Sequence, residues 1–543
     1  MAASDRTRGR AAVNRRRLMG GAGVAGTAAL LAACGPGQPA PQAGTQPASA
    51  KGPTGTVTVA QGVDANTLDP VFTNATPEFN INLQIFDTFL WRDAKTLKPT
   101  PNVLESFRLV NDTTWELKVR QGIKFHDGTP LDAEAVKFSL DRTAGIPVPG
   151  VRPELGKIGG KPIVPAFRNL VNYDAAEVVD AATVRVTLKG PSAIFPDELT
   201  SNFVVPPSQY RDEGDANLKK VAERPAGSGP YRFVEWRKDE HILLEANPDY
   251  WGPKPAFQRV YFRPVRETAT RILKLQQGEA DIIVNVPPDQ VQVVERGGGV
   301  VSDVKGLRNI FVGIRNDRPQ LADKRVRQAL NYAVNFDAIN RALLGGKGER
   351  MRSILNPPFT PAEAKAYSYD PNKAKQLLAE AGFPNGFSVV MDSPDGRYIK
   401  DKEMAQAIAQ DLEKVGIKVE LRVLEWSLYA GDKLAKRDPD DLFFLGLGAP
   451  VNGQNDLNFV HRDYSLNSTY WKNEEFHTIF DEYRRTLDEK KREEMRLRMH
   501  NLIHDDPPWI FVWKQVDFYG VSKKLTWQAR ADERIALREA SWR

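Results

Sequence analysis

One cysteine, Cys34, stands among 543 residues, which excludes a disulfide framework and any cysteine-ligated zinc or iron–sulfur centre. Long apolar runs are missing too. No stretch reaches the ~18–20 uninterrupted apolar residues of a spanning helix, so a polytopic membrane protein is excluded. Catalytic signatures are equally scarce: there is no Gly-x-Ser-x-Gly elbow, Walker loop, convincing dinucleotide fingerprint or zinc-protease motif. No internal repeat of fixed period is present. What remains is an ordinary globular composition, 41% hydrophobic and 27% charged. The length exceeds the ~250–300 residues at which one core stops growing, so two or more core-bearing lobes are expected.

Excess charge of one sign is also lacking once the N-terminus is set apart. The formal net charge is +6, but residues 1–33 hold six arginines (Arg6, Arg8, Arg10, Arg15, Arg16, Arg17) and one acid, Asp5. The rest carries 69 basic and 68 acidic residues. A basic surface for nucleic acid is therefore not expected.

Asn14-Arg15-Arg16-Arg17-Leu18-Met19-Gly20 opens a Gly- and Ala-rich run ending at Leu31-Ala32-Ala33-Cys34. A basic segment, a short apolar segment and a small-residue cleavage site are the parts of a secretory signal, expected over 1–33. The arginine pair resembles a twin-arginine signal, and Leu-Ala-Ala-Cys resembles a lipobox, at which cysteine is lipidated. A buried free thiol is the plain alternative for Cys34. Residues 34–54, Pro-, Gly- and Ala-rich with almost no large apolar side chain, read as a flexible lipoprotein tether.

From Thr56 onward strand alternation and helical spacing are mixed. Trp115, Leu117 and Val119 alternate, and Val136 and Leu140 fall at helical spacing over 131–142. Asp370-Pro371 predicts a helix start and Gly382 its stop, with Ala374, Leu377, Leu378 and Ala381 on one face. Met404, Ile408, Leu412 and Val415 predict a helix closed by Gly416, and Ile417, Val419, Leu421 and Val423 a strand. Met495, Met499, Leu502 and Ile503 predict another helix, ended by Asp505-Asp506-Pro507-Pro508, before strand-like Trp509–Val521. An α/β body of two lobes is the reading.

Several segments resemble the extracytoplasmic solute-binding proteins of ABC importers, in particular the oligopeptide/dipeptide/nickel-binding family. Val103–Ala133, with Lys124-Phe125-His126-Asp127-Gly128-Thr129-Pro130-Leu131, resembles its N-terminal signature. Gly227-Ser228-Gly229-Pro230-Tyr231 and Asn247-Pro248-Asp249-Tyr250-Trp251-Gly252 resemble two further segments, and Gly278-Glu279-Ala280-Asp281 precedes the expected crossover. Asp323–Ala333 and Leu377–Phe383 resemble two of the family's helices. The resemblance runs from about 57 to 521.

It implies a two-lobed periplasmic-binding-protein-like clamp, type II in its large cluster C form, closing over a ligand between lobe I (55–285 with 507–543) and lobe II (286–506). It also implies delivery of a peptide to an ABC permease and, through it, to ATPase subunits, by a monomer that needs no cofactor and catalyses no reaction. The expected location is extracytoplasmic, on a membrane through lipid at Cys34.

In such relatives an acid receives the peptide's α-amino group, and Asp456, within 441–460, is the candidate. A loop aspartate capping its own backbone is the plain alternative. The segment departs from the family: Gly446-Leu447-Gly448 lacks its tryptophan, and Asn455-Asp456-Leu457 lacks its Asp-Pro. An oligosaccharide or another small solute therefore stays open as ligand. Trp426 and Tyr429 match a site-lining position where an aromatic face could stack on a ligand, with core packing as the alternative. Thr73, Asn74 and Thr76 lie where relatives carry a first-lobe binding loop and could fix ligand orientation, with a plain surface turn as the alternative. His500 and His504, at i and i+4, have metal-compatible spacing but no third ligand in pattern, so no metal site is assigned. His126 is expected to be structural. A secreted glycosidase with paired carboxylates is the competing class, though 68 acids make some suitable pair inevitable.

Overall fold

Asp132, Asp370 and Asp488 each turn a side-chain oxygen onto a backbone N–H three residues on, and each opens a helix that apolar spacing then carries inward. The computed structural model describes residues 53–543 apart from 73–74, 146–156, 159–160, 163–169, 171, 211–220, 358, 449–451 and 465–466. The expected signal, the tether up to residue 52, Cys34, Thr73 and Asn74 lie outside the described residues.

The elements used below are, in chain order, β1 (Thr56–Gln61), α1 (Thr76–Ile85), β2 (Leu104–Asn111), β3 (Thr114–Val119), α2 (Ala133–Ala144), β4 (Tyr173–Asp180) and β5 (Thr183–Leu188). They continue with β6 (Tyr231–Arg237), β7 (His241–Ala246), β8 (Arg259–Pro264), β9 (Ile282–Ile283) and β10 (Gly299–Ile314). Next come α3 (Pro371–Glu380), β11 (Phe387–Pro394), α4 (Asp401–Glu413), β12 (Ile417–Leu424), β13 (Leu442–Gly448), α5 (Asn455–Asn458), α6 (Glu489–Asp505) and β14 (Trp509–Ser522). Each segment predicted above as helix or strand forms that element within a few residues. Gly416, with φ +95°, supplies the left-handed turn between α4 and β12 that a side chain would strain.

An eleven-stranded sheet runs in the order β6-β7-β8-β1-β9-β14-β10-β13-β11-β12, with the short strand Glu349–Arg350 added on β14. β1 pairs β8 in parallel, and β11 pairs both β12 and β13 in parallel. The long strands β10 and β14 are antiparallel from Gly299↔Ser522 to Gly313↔Trp509. A separate four-stranded antiparallel sheet, β2-β3-β5-β4, carries the alternation of Trp115, Leu117 and Val119.

Three apolar cores follow this layout. One gathers side chains of β10, β11, β13, α3, α4 and α6 with the first half of β14, where Phe311 stacks on Trp509 at 3.6 Å. A second packs β1, β7 and β8 against the C-terminal residues Leu525–Ala540. The third lies beneath the four-stranded sheet and α2.

The glycines of Gly227-Ser228-Gly229 are fixed by close approach. A Cβ on Gly227 would sit 2.0 Å from the Ile85 carbonyl oxygen, and one on Gly229 2.6 Å from that of Gln84. His126 is structural, as expected: its Nδ1 accepts from the Gly227 N–H at 3.2 Å and its Nε2 bonds the Gly229 carbonyl at 3.0 Å. Burial holds its pKa down at about 4. Asp87 ties the same segment to Tyr250 and Trp251, accepting from Ser228 Oγ, Tyr250 Oη and Trp251 Nε1 at 2.9–3.0 Å.

Candidate functional site

Between Lys305 and Asn309 the pairing of β10 with β14 shifts register, and the bulge parts Arg308 from β14 while it stays opposite Gly448 of β13. Its guanidinium grips Glu533 bidentately, Nε to Oε1 at 2.8 Å and Nη2 to Oε2 at 2.7 Å. It also donates to the Gly446 carbonyl of β13 at 3.2 Å and to Thr76 Oγ1 of α1 at 3.3 Å. Thr76 donates in turn to Glu533 at 3.2 Å. Burial works against Glu533's charge, but Arg308 holds its carboxyl below the ordinary range. Glu533 sits at φ +58°, a left-handed conformation costing an L residue ~1 kcal/mol, which the pair with Arg308 offsets. One cluster thus joins α1, β10, β13 and the C-terminal segment.

Beside it lies a second cation with different company. After β11 the turn Asp395-Gly396 leads into Arg397 and Tyr398, where the Asp401 carboxylate accepts from three successive backbone N–H groups, Gly396, Arg397 and Tyr398, at 2.8–3.0 Å. Tyr398 donates to the Gly446 carbonyl at 3.0 Å and meets Trp426 edge-on at 6.2 Å. The half-buried Arg397 guanidinium lies 5.0 Å from the Tyr398 ring centroid and 5.2 Å from that of Trp426. It has no ion pair or side-chain hydrogen bond among the described residues. Burial pushes its pKa down, while Tyr398, Glu533 and Glu78 work the other way.

Glu78, on α1, is 2% exposed. Its Oε1 accepts from the Asn66 backbone N–H at 3.1 Å and from Asn66 Nδ2 at 3.2 Å, whereas Oε2 is buried with no hydrogen-bond partner among the described residues. Burial raises its pKa, opposed by the Asn66 bonds and by the charge of Arg397.

The expected site residues separate on this geometry. Thr76 and Trp426 stand in the cluster. Tyr429 is fully buried and donates to the Phe444 carbonyl at 2.8 Å, so its role is core packing, the alternative named for it. Asp456, the acid expected to meet an amino group, is more enclosed than the partly buried cleft position expected for it. It is fully buried on α5, its Oδ2 accepting from the Asn356 N–H and its Oδ1 from Asn356 Nδ2, both at 2.9 Å. Asn356 Oδ1 in turn accepts from Lys514 Nζ at 2.9 Å. Burial raises Asp456 to about 6, against the pull of Lys514, which burial itself lowers to about 8.

His500 bonds Ser353 Oγ at 3.1 Å and His504 stacks on Tyr367 at 4.5 Å. Among the described residues no group of three or more His, Cys, Asp or Glu is placed to hold a metal. Sequence reasoning missed Arg308, Glu533, Arg397 and Glu78. Only Arg397 left a trace, an Arg-Tyr pair straight after a strand-ending turn.

With the geometry in place, comparison with known proteins gives the class. Residues 98–466 match the family described as "Bacterial extracellular solute-binding proteins, family 5 Middle". The glutathione-binding protein GsiB of Pectobacterium atrosepticum is 28% identical over 484 residues, 86% of this chain and 90% of that protein. Among solved structures, the periplasmic binding protein DppA of Helicobacter pylori in complex with peptide STSA superposes with a TM-score of 0.79 at 24% identity, covering 90% of this chain and 98% of that one. A dipeptide-binding protein of Pseudoalteromonas sp. SM9913 in complex with Met-Leu gives 0.80 at 21%, covering 90% and 100%. The chain belongs to the family 5 bacterial extracellular solute-binding proteins, and its fold is their two-lobed α/β clamp. It is the solute-binding component of an ABC importer.

Proposed function

We propose that the protein captures a peptide between its lobes and passes it unaltered to a membrane permease coupled to ATPase subunits. The observation that carries this reading is Arg397. A guanidinium flanked by two aromatic rings, with no ion pair among the described residues, is a receptor for a ligand carboxylate. Glutathione, STSA and Met-Leu, named with the relatives, all carry carboxylates, which supports a peptide-class ligand over a neutral sugar.

The lobes of the proposal are 55–285 with 507–543 and 286–506, joined through β10 and β14. Two cores draw only on the first lobe and support that division, as do the two long shared strands, while the largest core, mainly of the second lobe, also takes in Ala60, Ile272, Leu275 and Ile283 of the first. Cys34 carries the lipid, and 34–54 tether the monomeric body outside the cytoplasm. Replacing Cys34→Ser is then expected to move the protein from the membrane to the soluble fraction; unchanged membrane retention would remove the anchor from the account.

The test of ligand class is a thermal-shift screen with glutathione, Met-Leu, a disaccharide and Ni²⁺. A ligand at a hundredfold excess over Kd stabilises the fold by about 2.7 kcal/mol. The peptides are expected to raise Tm in the wild type and not in Arg397→Ala. Stabilisation by the sugar or the metal alone would overturn the peptide reading.

A further inference from the structure

We infer that Glu78, on α1, receives the ammonium group of the bound solute in place of Asp456, and that the solute is a compact zwitterion with a free amino group. This rests on the peptide-class reading above and specifies how the same site works.

Asp456 is already occupied. Both of its oxygens accept from Asn356, the same side chain is tied to Lys514 and to the Leu307 carbonyl, and the carboxylate is fully enclosed. Glu78 is as enclosed but differs in its bonding. Asn66 satisfies one oxygen, and the other is buried without a donor among the described residues. A buried carboxylate oxygen left without a donor is costly, which makes a ligand-supplied N–H its natural partner.

The second observation is what Glu78 faces. Arg308 bonds Thr76, two residues before Glu78 on α1, and lies 5.8 Å from the Tyr398 ring centroid that Arg397 also approaches, so Glu78 and Arg397 share one neighbourhood, yet no ion pair joins them among the described residues. The neighbouring opposite charges, Arg308 and Glu533, close on each other instead. Glu78 and Arg397 are therefore an acid and a base set beyond contact. A solute lying between them can place its ammonium on one and its carboxylate on the other. A solute that reaches both charges at once carries its ammonium and its carboxylate on one short backbone, as a dipeptide or a free α-amino-acid end does. A neutral sugar would leave both charges uncompensated.

The experiment is a cycle between a residue and a ligand group, read by isothermal titration of the full chain with Met-Leu and N-acetyl-Met-Leu, and with glutathione and its N-acetyl form. In the wild type, acetylation is expected to weaken binding at least tenfold. In Glu78→Gln, which keeps the acceptor that Asn66 uses, the free-amine probes weaken at least tenfold and the acetylation penalty falls below about threefold. Glu78→Asp keeps a charge and with it a penalty, so a general loss of fold would be recognised. In Asp456→Asn the full penalty persists. If the penalty survives intact in Glu78→Gln, or vanishes in Asp456→Asn, the assignment to Glu78 is wrong while the peptide reading stands. If none of the four probes binds the wild type, the peptide reading falls and this inference with it.

Discussion

Lys514 shows how a single side chain can govern both stability and its dependence on pH. Its ammonium is buried on β14 and hydrogen-bonds Asn309 Oδ1, Asn356 Oδ1 and the carbonyls of Ile354 and Leu355, and the Asp456 charge works against the loss of its proton. Lys514→Met leaves Asp456 enclosed and without a cation, a loss of about 3–5 kcal/mol at pH 7.5. Asp456 is raised to about 6 from its ordinary 3.8, so its buried charge costs stability above about pH 6, and that cost fades as the group protonates. The Tm gap between wild type and Lys514→Met should therefore narrow between pH 7.5 and pH 5; a gap independent of pH would contradict the network. His500 has the reverse sign. Burial first, then the charges of His504 and Arg352, with Glu363 opposing, lower it to about 4 from 6.5. Neutral His500 contributes stability that is complete above pH 6.5 and lost as pH falls toward 4. His500→Gln lacks that term, so its Tm deficit against wild type should shrink over the same interval. Neither network could be read from sequence. Asp456 looks like a loop acid, and what encloses it comes from Asn356 and Lys514, 100 and 58 residues away.

Local elements were far more legible, because their causes are local. Asp370, Pro371 and Gly382 bracket α3 by capping and turn chemistry within one short stretch, and apolar spacing gives its inner face. The same holds for α4, Gly416 and β12. Capping by Asp488 predicts that Asp488→Ala lowers stability by about 1 kcal/mol, measured by urea unfolding. Gly227 is a sharper case. A Cβ there would press on the Ile85 carbonyl of α1, and backbone yields little, so Gly227→Ala should cost at least the ~1–3 kcal/mol of an overpacked core. A neutral result would mean that α1 shifts freely, which would also loosen Glu78 and Thr76. The bulge that aims Arg308 was hidden from the sequence, since register between β10 and β14 depends on strands some 200 residues apart. The segment 441–460 was expected as a ligand loop; instead it gives β13 at 442–448 and the short helix α5 at 455–458.

The molecule as a whole is a clamp whose two long strands cross between cores and whose cleft gathers charge from both sides of the crossing. The family resemblance made that architecture visible from scattered motifs, because His126, Gly227, Gly229 and Asn247 are held by one local frame. The cleft itself was mostly invisible. Glu533 lies 225 residues from the Arg308 it pairs with, and Glu78 has the look of a surface helix acid. A ligand that bridges Glu78 and Arg397 binds the closed arrangement better than an open one and so shifts the population toward it. The most direct measurement is equilibrium dialysis of the purified protein against glutathione and Met-Leu, with mass spectrometry of the solute recovered after denaturation. The account predicts saturable retention near one solute per chain and recovery of the solute unchanged. No retention of either, or recovery of cleaved products, would contradict it.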